Sequence, residues 1–229
     1  WHVSWSGMMK QLFKLRGRLA ASLCDKPSIR LFRGAVRASD VLIAVWMLDG
    51  RLLHAYLLAR ALSVLVPCSL LLLEAKVSPQ LATLVSDKPL FQAAAARVNL
   101  GYLIISGSLA LLVLLLAPGV AGLAGVAGES LQEILVWMLI GQVSPILFGA
   151  TRMLMQVMDR RVFYDLLTLL TTALFMIGVA LLPDRSAVFI AQSLAAAQLA
   201  QSAVCALLLT QCGVWPGLTA LLHKEIKLF

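Results

Sequence analysis

Residues 98–117 read VNLGYLIISGSLALLVLLLA, with no charged side chain among them. A helix of that length, at about 1.5 Å per residue, reaches about 30 Å, the thickness of a bilayer's hydrocarbon core. The apolar residues run on without the strict alternation of a barrel strand, so the stretch reads as a membrane-crossing helix. The rest of the chain fits that setting. Of 229 residues 61% are apolar and 13% charged, too little polar surface to cover a soluble domain of this size. A cytosolic enzyme, a nucleic-acid binder and a disordered tail are excluded on that ground.

Working outward from 98–117, five further apolar segments lie at about 33–48, 52–74, 131–153, 162–182 and 187–209. Gly, Pro or charge marks nearly every junction, as at Asp49-Gly50-Arg51, Pro118-Gly119 and Asp159-Arg160-Arg161. The charges test this division, because Lys and Arg collect in cytoplasmic loops. With a cytoplasmic N-terminus, only Arg51 and Arg185 of the 19 basic residues fall in outer loops. Arg60 lies within a span and all the others are inside. The net charge of +8 therefore reads as topology.

The expected architecture is an all-α integral membrane protein with six transmembrane helices, both ends cytoplasmic. Residues 1–30 form a cytoplasmic basic segment, 31–212 the six-helix lobe, and 213–229 a short cytoplasmic tail. Within the first segment, 8–24 (MMKQLFKLRGRLAASLC) sets Leu12, Leu15, Leu19 and Leu23 at helical spacing, with Lys10, Lys14 and Arg18 as a second stripe. That is a basic amphipathic helix suited to an anionic headgroup layer. The inside loop 77–97 predicts a short helix at 79–86, a break at Asp87-Lys88-Pro89, and a long helix from 90 onward. Pro89 suits a helix start, where its missing N–H is not needed. The chain opens on Trp1 and reads as a segment of a longer protein or an incomplete gene product.

An ionisable group deep in a bilayer costs at least a few kcal/mol and is a functional candidate by default. Arg60 sits roughly 12 Å along its span. It either faces a water-filled cavity and binds an anionic group, or pairs with a buried acid or snorkels. Arg33, Arg37 and Asp40 share one face of the first span. That face looks into a cavity or packs against another helix, or Arg37 and Asp40 simply pair within the helix. Gly141, Gln142, Ser144 and Pro145 form a polar, kinkable stretch of the fourth span, and Pro67 lies in the second. Gln192, Gln198 and Gln201, among alanines in the sixth span, read as amide contacts between closely packed helices. Glu74 and Asp165 read as solvated.

Four cysteines, at 24, 68, 205 and 212, form no CxxC pair and have no His cluster, so no metal or cofactor is expected. There is no P-loop, HExxH or GxSxG elbow with a matched His. A polar pathway without a reaction centre favours transport over catalysis.

Residues 39–88 carry Asp40 at the start of a span, the turn Leu48-Asp49-Gly50, the run Tyr56 to Arg60, Pro67, and an amphipathic stretch from Pro79 to Asp87. Later come LLLAPGV, a Gly-rich turn, and IGQVSPILFGATRMLMQVMDRR with Gly141-Gln142, Gly149 and Arg160. This order resembles the polysaccharide and O-antigen flippases of the oligosaccharide-lipid and multidrug exporter superfamily, over about residues 31–210. Leu123-Ala124-Gly125 stands where the family usually has Phe-Gly. The family has two six-helix lobes, and this chain looks like the C-terminal one. The resemblance implies a bacterial inner-membrane protein flipping a polyprenyl-diphosphate-linked oligosaccharide, with membrane lipids and a second lobe as partners. Arg33, Arg37 and Arg60 would hold the diphosphate, and Gln142 would contact sugar or water. Asp40 would couple a proton or pair with Arg37. A ligase or polymerase of polysaccharide assembly, a drug exporter of the same superfamily and a scaffold are the alternatives.

Overall fold

The structure is a computed structural model and describes residues 36, 38–181 and 186–216. The amphipathic segment 8–24, Arg33, Arg37, and the tail beyond 216 lie outside the described residues. The chain divides after Ser39, and the helical bundle is the larger body that starts at Asp40.

Among the described residues every regular element is a helix. In chain order these are α1 (Ser39–Met47), α2 (Gly50–Ser63), α3 (Leu65–Leu84), α4 (Lys88–Ala124), α5 (Gly128–Phe148), α6 (Thr151–Val157), α7 (Arg161–Leu181) and α8 (Ala187–Gln211). Four runs are long and apolar enough to cross a membrane: Gly50–Leu84, Lys88–Ala124, Arg161–Leu181 and Ala187–Gln211. They mark the chain as a helical membrane protein. They match the second, third, fifth and sixth predicted segments.

The departures from the sequence reading have local causes. α2 and α3 form one 35-residue run, interrupted only at Val64. Pro67 has no N–H for the Ser63 carbonyl and crowds it, so the helix hitches there. No separate helix forms at 79–86, because α3 continues through Pro79 to Leu84. The predicted break at 87–89 is present. Asp87 caps α4, its Oδ1 accepting the Leu90 N–H at 3.3 Å, with Pro89 in the first turn. α4 also outlasts the predicted end at 117. Ser106, Ala110, Val113, Ala117 and Ala121 continue one buried stripe past Pro118, and Gly125, at φ 65°, ends the helix in the left-handed conformation. Such a residue at the C-terminus is commonly Gly, which carries no Cβ penalty there.

The segment 131–153, expected as one span, divides in two. α5 stops at Gly149, whose φ of 81° and ψ of −179° lie in a region open essentially to glycine alone. α6 follows. The break leaves the Ala150 N–H unpaired by its own helix, and Asn99 of α4 supplies an acceptor, Oδ1 to N at 2.9 Å, in a buried setting. Replacing Asn99 with Leu keeps the bulk and removes the acceptor. It is expected to lower stability by about 1–3 kcal/mol, the cost of a buried unsatisfied N–H, as read by thermal melting in detergent. A melt unchanged from wild type would mean that water takes over at Ala150.

α5, at 21 residues, also has the length of a span. It packs against α8, α4 and α2, and buries Leu131, Ile134, Leu135, Met138 and Leu139 on one face. By contrast α7 buries only Phe175 and Val179, and leaves Leu166, Leu170, Leu174 and Ile177 outward.

The buried apolar residues fall into two cores. One gathers α1, α2, the second half of α4, most of α5 and the start of α8. The other joins α3, the first half of α4, α6 and the end of α8.

Candidate functional site

Two polar sites interrupt this bundle. The first is an ion pair between α1 and α2. Arg60 Nε lies 2.7 Å from Asp40 Oδ2; the Asp40 side chain is 1% exposed and the Arg60 side chain 18%. Tyr56, one turn before Arg60 on α2 and fully buried, donates its hydroxyl to the same Oδ2 at 3.5 Å. Among the described residues Asp40 Oδ1 has no hydrogen-bond partner. Ala55, Tyr56 and Ala59 are all buried, and the two alanines leave room for α1 to bring its carboxylate in.

Of the possibilities open from sequence, Arg60 therefore pairs with a buried acid, and that acid is Asp40. Arg33 and Arg37, the other basic candidates, lie outside the described residues. Gln142 is elsewhere, at the second site.

The second site is a cavity of about 190 Å³ at the level where the two apolar cores meet. On α8 the sequence of burial makes this plain: Ala191 and Ala195, then Gln198, Gln201 and Ser202 at the cavity, then Cys205 and Leu209. Gln142 and Ser144 of α5 face it, with Glu74 of α3, Tyr102 of α4 and Arg152 of α6. Ser144 and Ser202 share a buried hydrogen bond of 2.9 Å. Gln201 bridges α8 to α7, its Nε2 donating to Thr168 Oγ1 at 2.6 Å and its Oε1 accepting from Thr171 at 3.4 Å. These contacts agree with the sequence reading of interhelical amides.

α5 and α8 approach each other closely at Gly141. A Cβ there would lie 3.0 Å from the Ala195 Cα and would strike the Gln198 side chain. The glycine is needed for close approach, which brings Gln198 and Gln142 to the same space.

Glu74, a solvated acid by its sequence position, is instead half-withdrawn. Its side chain is 14% exposed, with Oε2 3.9 Å from Arg152 Nε. Sequence reasoning misses this pair and Tyr102. The available signal is an acid late in the second segment and a base late in the fourth, at ends that the six-span topology puts on one side. Tyr102 carries no such signal, since an aromatic in a span is ordinarily packing.

Among the described residues no group of three His, Cys, Asp or Glu side chains is placed to hold a metal ion. No protein-family model, curated protein or solved structure matches the chain.

Proposed function

We propose that the chain forms one six-span lobe of a transporter that flips a polyprenyl-diphosphate-linked oligosaccharide by alternating access. Its setting is the bacterial inner membrane, with both termini cytoplasmic and a second lobe as partner. The observation that supports this best is Arg60, a permanent cation held among apolar helices by a carboxylate whose second oxygen has no partner among the described residues. A buried pair of this kind is weak as a source of stability, and a functional reading accounts better for its presence. A diphosphate oxygen arriving at Arg60 exchanges with Asp40 Oδ2, anion for anion. Asp40 is then free to bind a proton or another cation, which couples substrate entry to a change of charge inside the lobe. Arg33 and Arg37 stay diphosphate-binding candidates by the resemblance alone, and rocking of one lobe against the other carries the headgroup across.

The test replaces both members with apolar residues, Asp40→Leu with Arg60→Met, in the full-length protein. No buried charge is left alone, so the protein is expected at its normal level in membranes. Export of surface polysaccharide is expected to fall about tenfold or more, in line with the loss of a charge-assisted contact. Unchanged export at matched protein level would leave the pair a structural one and remove this reading's main support.

A further inference from the structure

The helices α3 and α4 carry two exposed cations, Lys76 and Arg97. We propose that these two side chains hold the headgroup of one anionic phospholipid, whose chains lie against the outer face of the helix pair. The inference rests on the helical membrane class and is independent of the transport reading.

Position gives the first argument. A Cβ on Gly101 of α4 would meet Leu73 Cδ2 of α3 at 3.9 Å, so these two residues face each other across the seam. From that contact Lys76 lies three residues toward the hairpin turn and Arg97 four, which is about 4.5 and 6 Å along antiparallel helices. The two cations therefore stand at one level. At roughly 100° per residue both also turn to one side of the seam. Leu70, Leu81, Ala95 and Tyr102 are buried on the other side. Packed helices lie about 8–10 Å apart, a gap that two long basic side chains close around a single phosphate.

Availability gives the second. Among the described residues no ion pair or hydrogen bond engages Lys76 or Arg97. Glu74 and Asp87 are the only acids between 65 and 124, and both are occupied. Glu74 turns to Arg152 of α6, and Asp87 caps α4.

The lipid-facing side chains give the third. On α4, Leu100, Ile104 and Leu111 continue the face that Arg97 heads, and on α3 Leu72 stands one turn before Lys76. All four apolar side chains are exposed. Past Lys76, α3 exposes Pro79, Gln80 and Thr83 instead. The two cations thus stand where leucine gives way to polar residues, the depth at which a phosphate lies when the chains below it meet Leu72, Leu100 and Ile104. A zwitterionic head would bring its own ammonium to this pair, whereas an anionic head brings only attraction.

The experiment is native mass spectrometry of the whole chain, stripped of lipid in detergent and titrated with phosphatidylglycerol or phosphatidylcholine of matched chains. Phosphatidylglycerol is expected to bind about tenfold more tightly or better. Lys76→Gln and Arg97→Gln are each expected to weaken it about fivefold, and together about twentyfold, with phosphatidylcholine binding and the melting temperature unmoved. Arg97→Lys keeps the charge and is expected to keep most of the binding. Lys88→Gln at the hairpin turn and Arg51→Gln at the start of α2 are expected to change it less than about twofold. Equal binding of the two lipids would overturn the site. So would an equal loss in Lys88→Gln or Arg51→Gln, which shows diffuse charge. Removal of the phosphatidylglycerol adduct by millimolar inorganic phosphate would make this a site for the free anion. A dimer lost in the double variant would make a second copy its occupant. Either result overturns the proposal. Export plays no part in the readout, so this test can fail while the export test succeeds, and the reverse.

Discussion

Asp40→Ala is expected to destabilise the protein by about 3–5 kcal/mol, the cost of leaving one member of a buried ion pair alone. The loss is larger than the pair is worth. Arg60 cannot shed its charge, since guanidinium stays protonated, and its side chain is only 18% exposed. Once the carboxylate is gone, the N–H groups that met it have an apolar bundle around them. Tyr56 also loses the only hydrogen-bond acceptor its hydroxyl has among the described residues. Asp40→Asn keeps an oxygen for both donors and falls between. Adding Arg60→Met to Asp40→Ala is expected to restore most of the loss, because the orphaned charge goes with it. The measurement is a double-mutant cycle on unfolding in detergent, with the level of protein in membranes as a second readout. An Asp40→Ala protein that melts within about 1 kcal/mol of wild type, at the size of an exposed pair, would show that Arg60 reaches water.

The second large effect is steric. Gly141→Leu is expected to force α5 and α8 apart where the two helices are in close contact, costing at least the roughly 1–3 kcal/mol of an overpacked core. Even a methyl group meets backbone at 3.0 Å, the Ala195 Cα, and backbone cannot swing aside as a side chain can. Two readouts should move together. The melt should fall, and the nearby Ser144–Ser202 hydrogen bond, 2.9 Å long and buried, should lengthen. Gly141→Ala should show the same signs in smaller measure. If Gly141→Leu melts like wild type, the helices already stand further apart than this packing has them.

How far the sequence carries the fold can be judged on particular helices. The stretch 98–117 is legible because nothing but a membrane helix suits so long an uncharged run. The start of α4 is legible because Asp87 and Pro89 act locally, through a cap and a missing N–H. Its end is not. Pro118 and Gly119 read as a stop, but the stripe of Ala110, Ala117 and Ala121 packs against α5, and that tertiary contact holds the helix past the proline. Gly149 reads as one small residue among several, and only its φ shows that the chain turns there. The site follows the same rule. Arg60 stands out by its depth in a span and Asp40 by its place on a helix face, both local properties. That they are partners depends on how α1 leans on α2, and the i,i+3 neighbour Arg37 is the natural guess from spacing alone. Glu74 and Arg152 lie far apart in sequence and meet only through the fold.

The lengths of α3 and α4 have a practical consequence. α4 has 37 residues, about 55 Å of helix. To hide that in a core about 30 Å thick it would have to tilt beyond the range of up to 40° that membrane helices show. α3 and α4 pack side by side and join through Val85 to Asp87, so both emerge at the same end. Lys76, Pro79, Gln80 and Lys88 are exposed there. Part of α4 must then lie beyond the hydrocarbon core, and the exposed charges at the α3–α4 turn favour that end. That turn, braced by the hydrogen bonds between Gln92 and Trp215, is where an antibody fragment would find an ordered epitope.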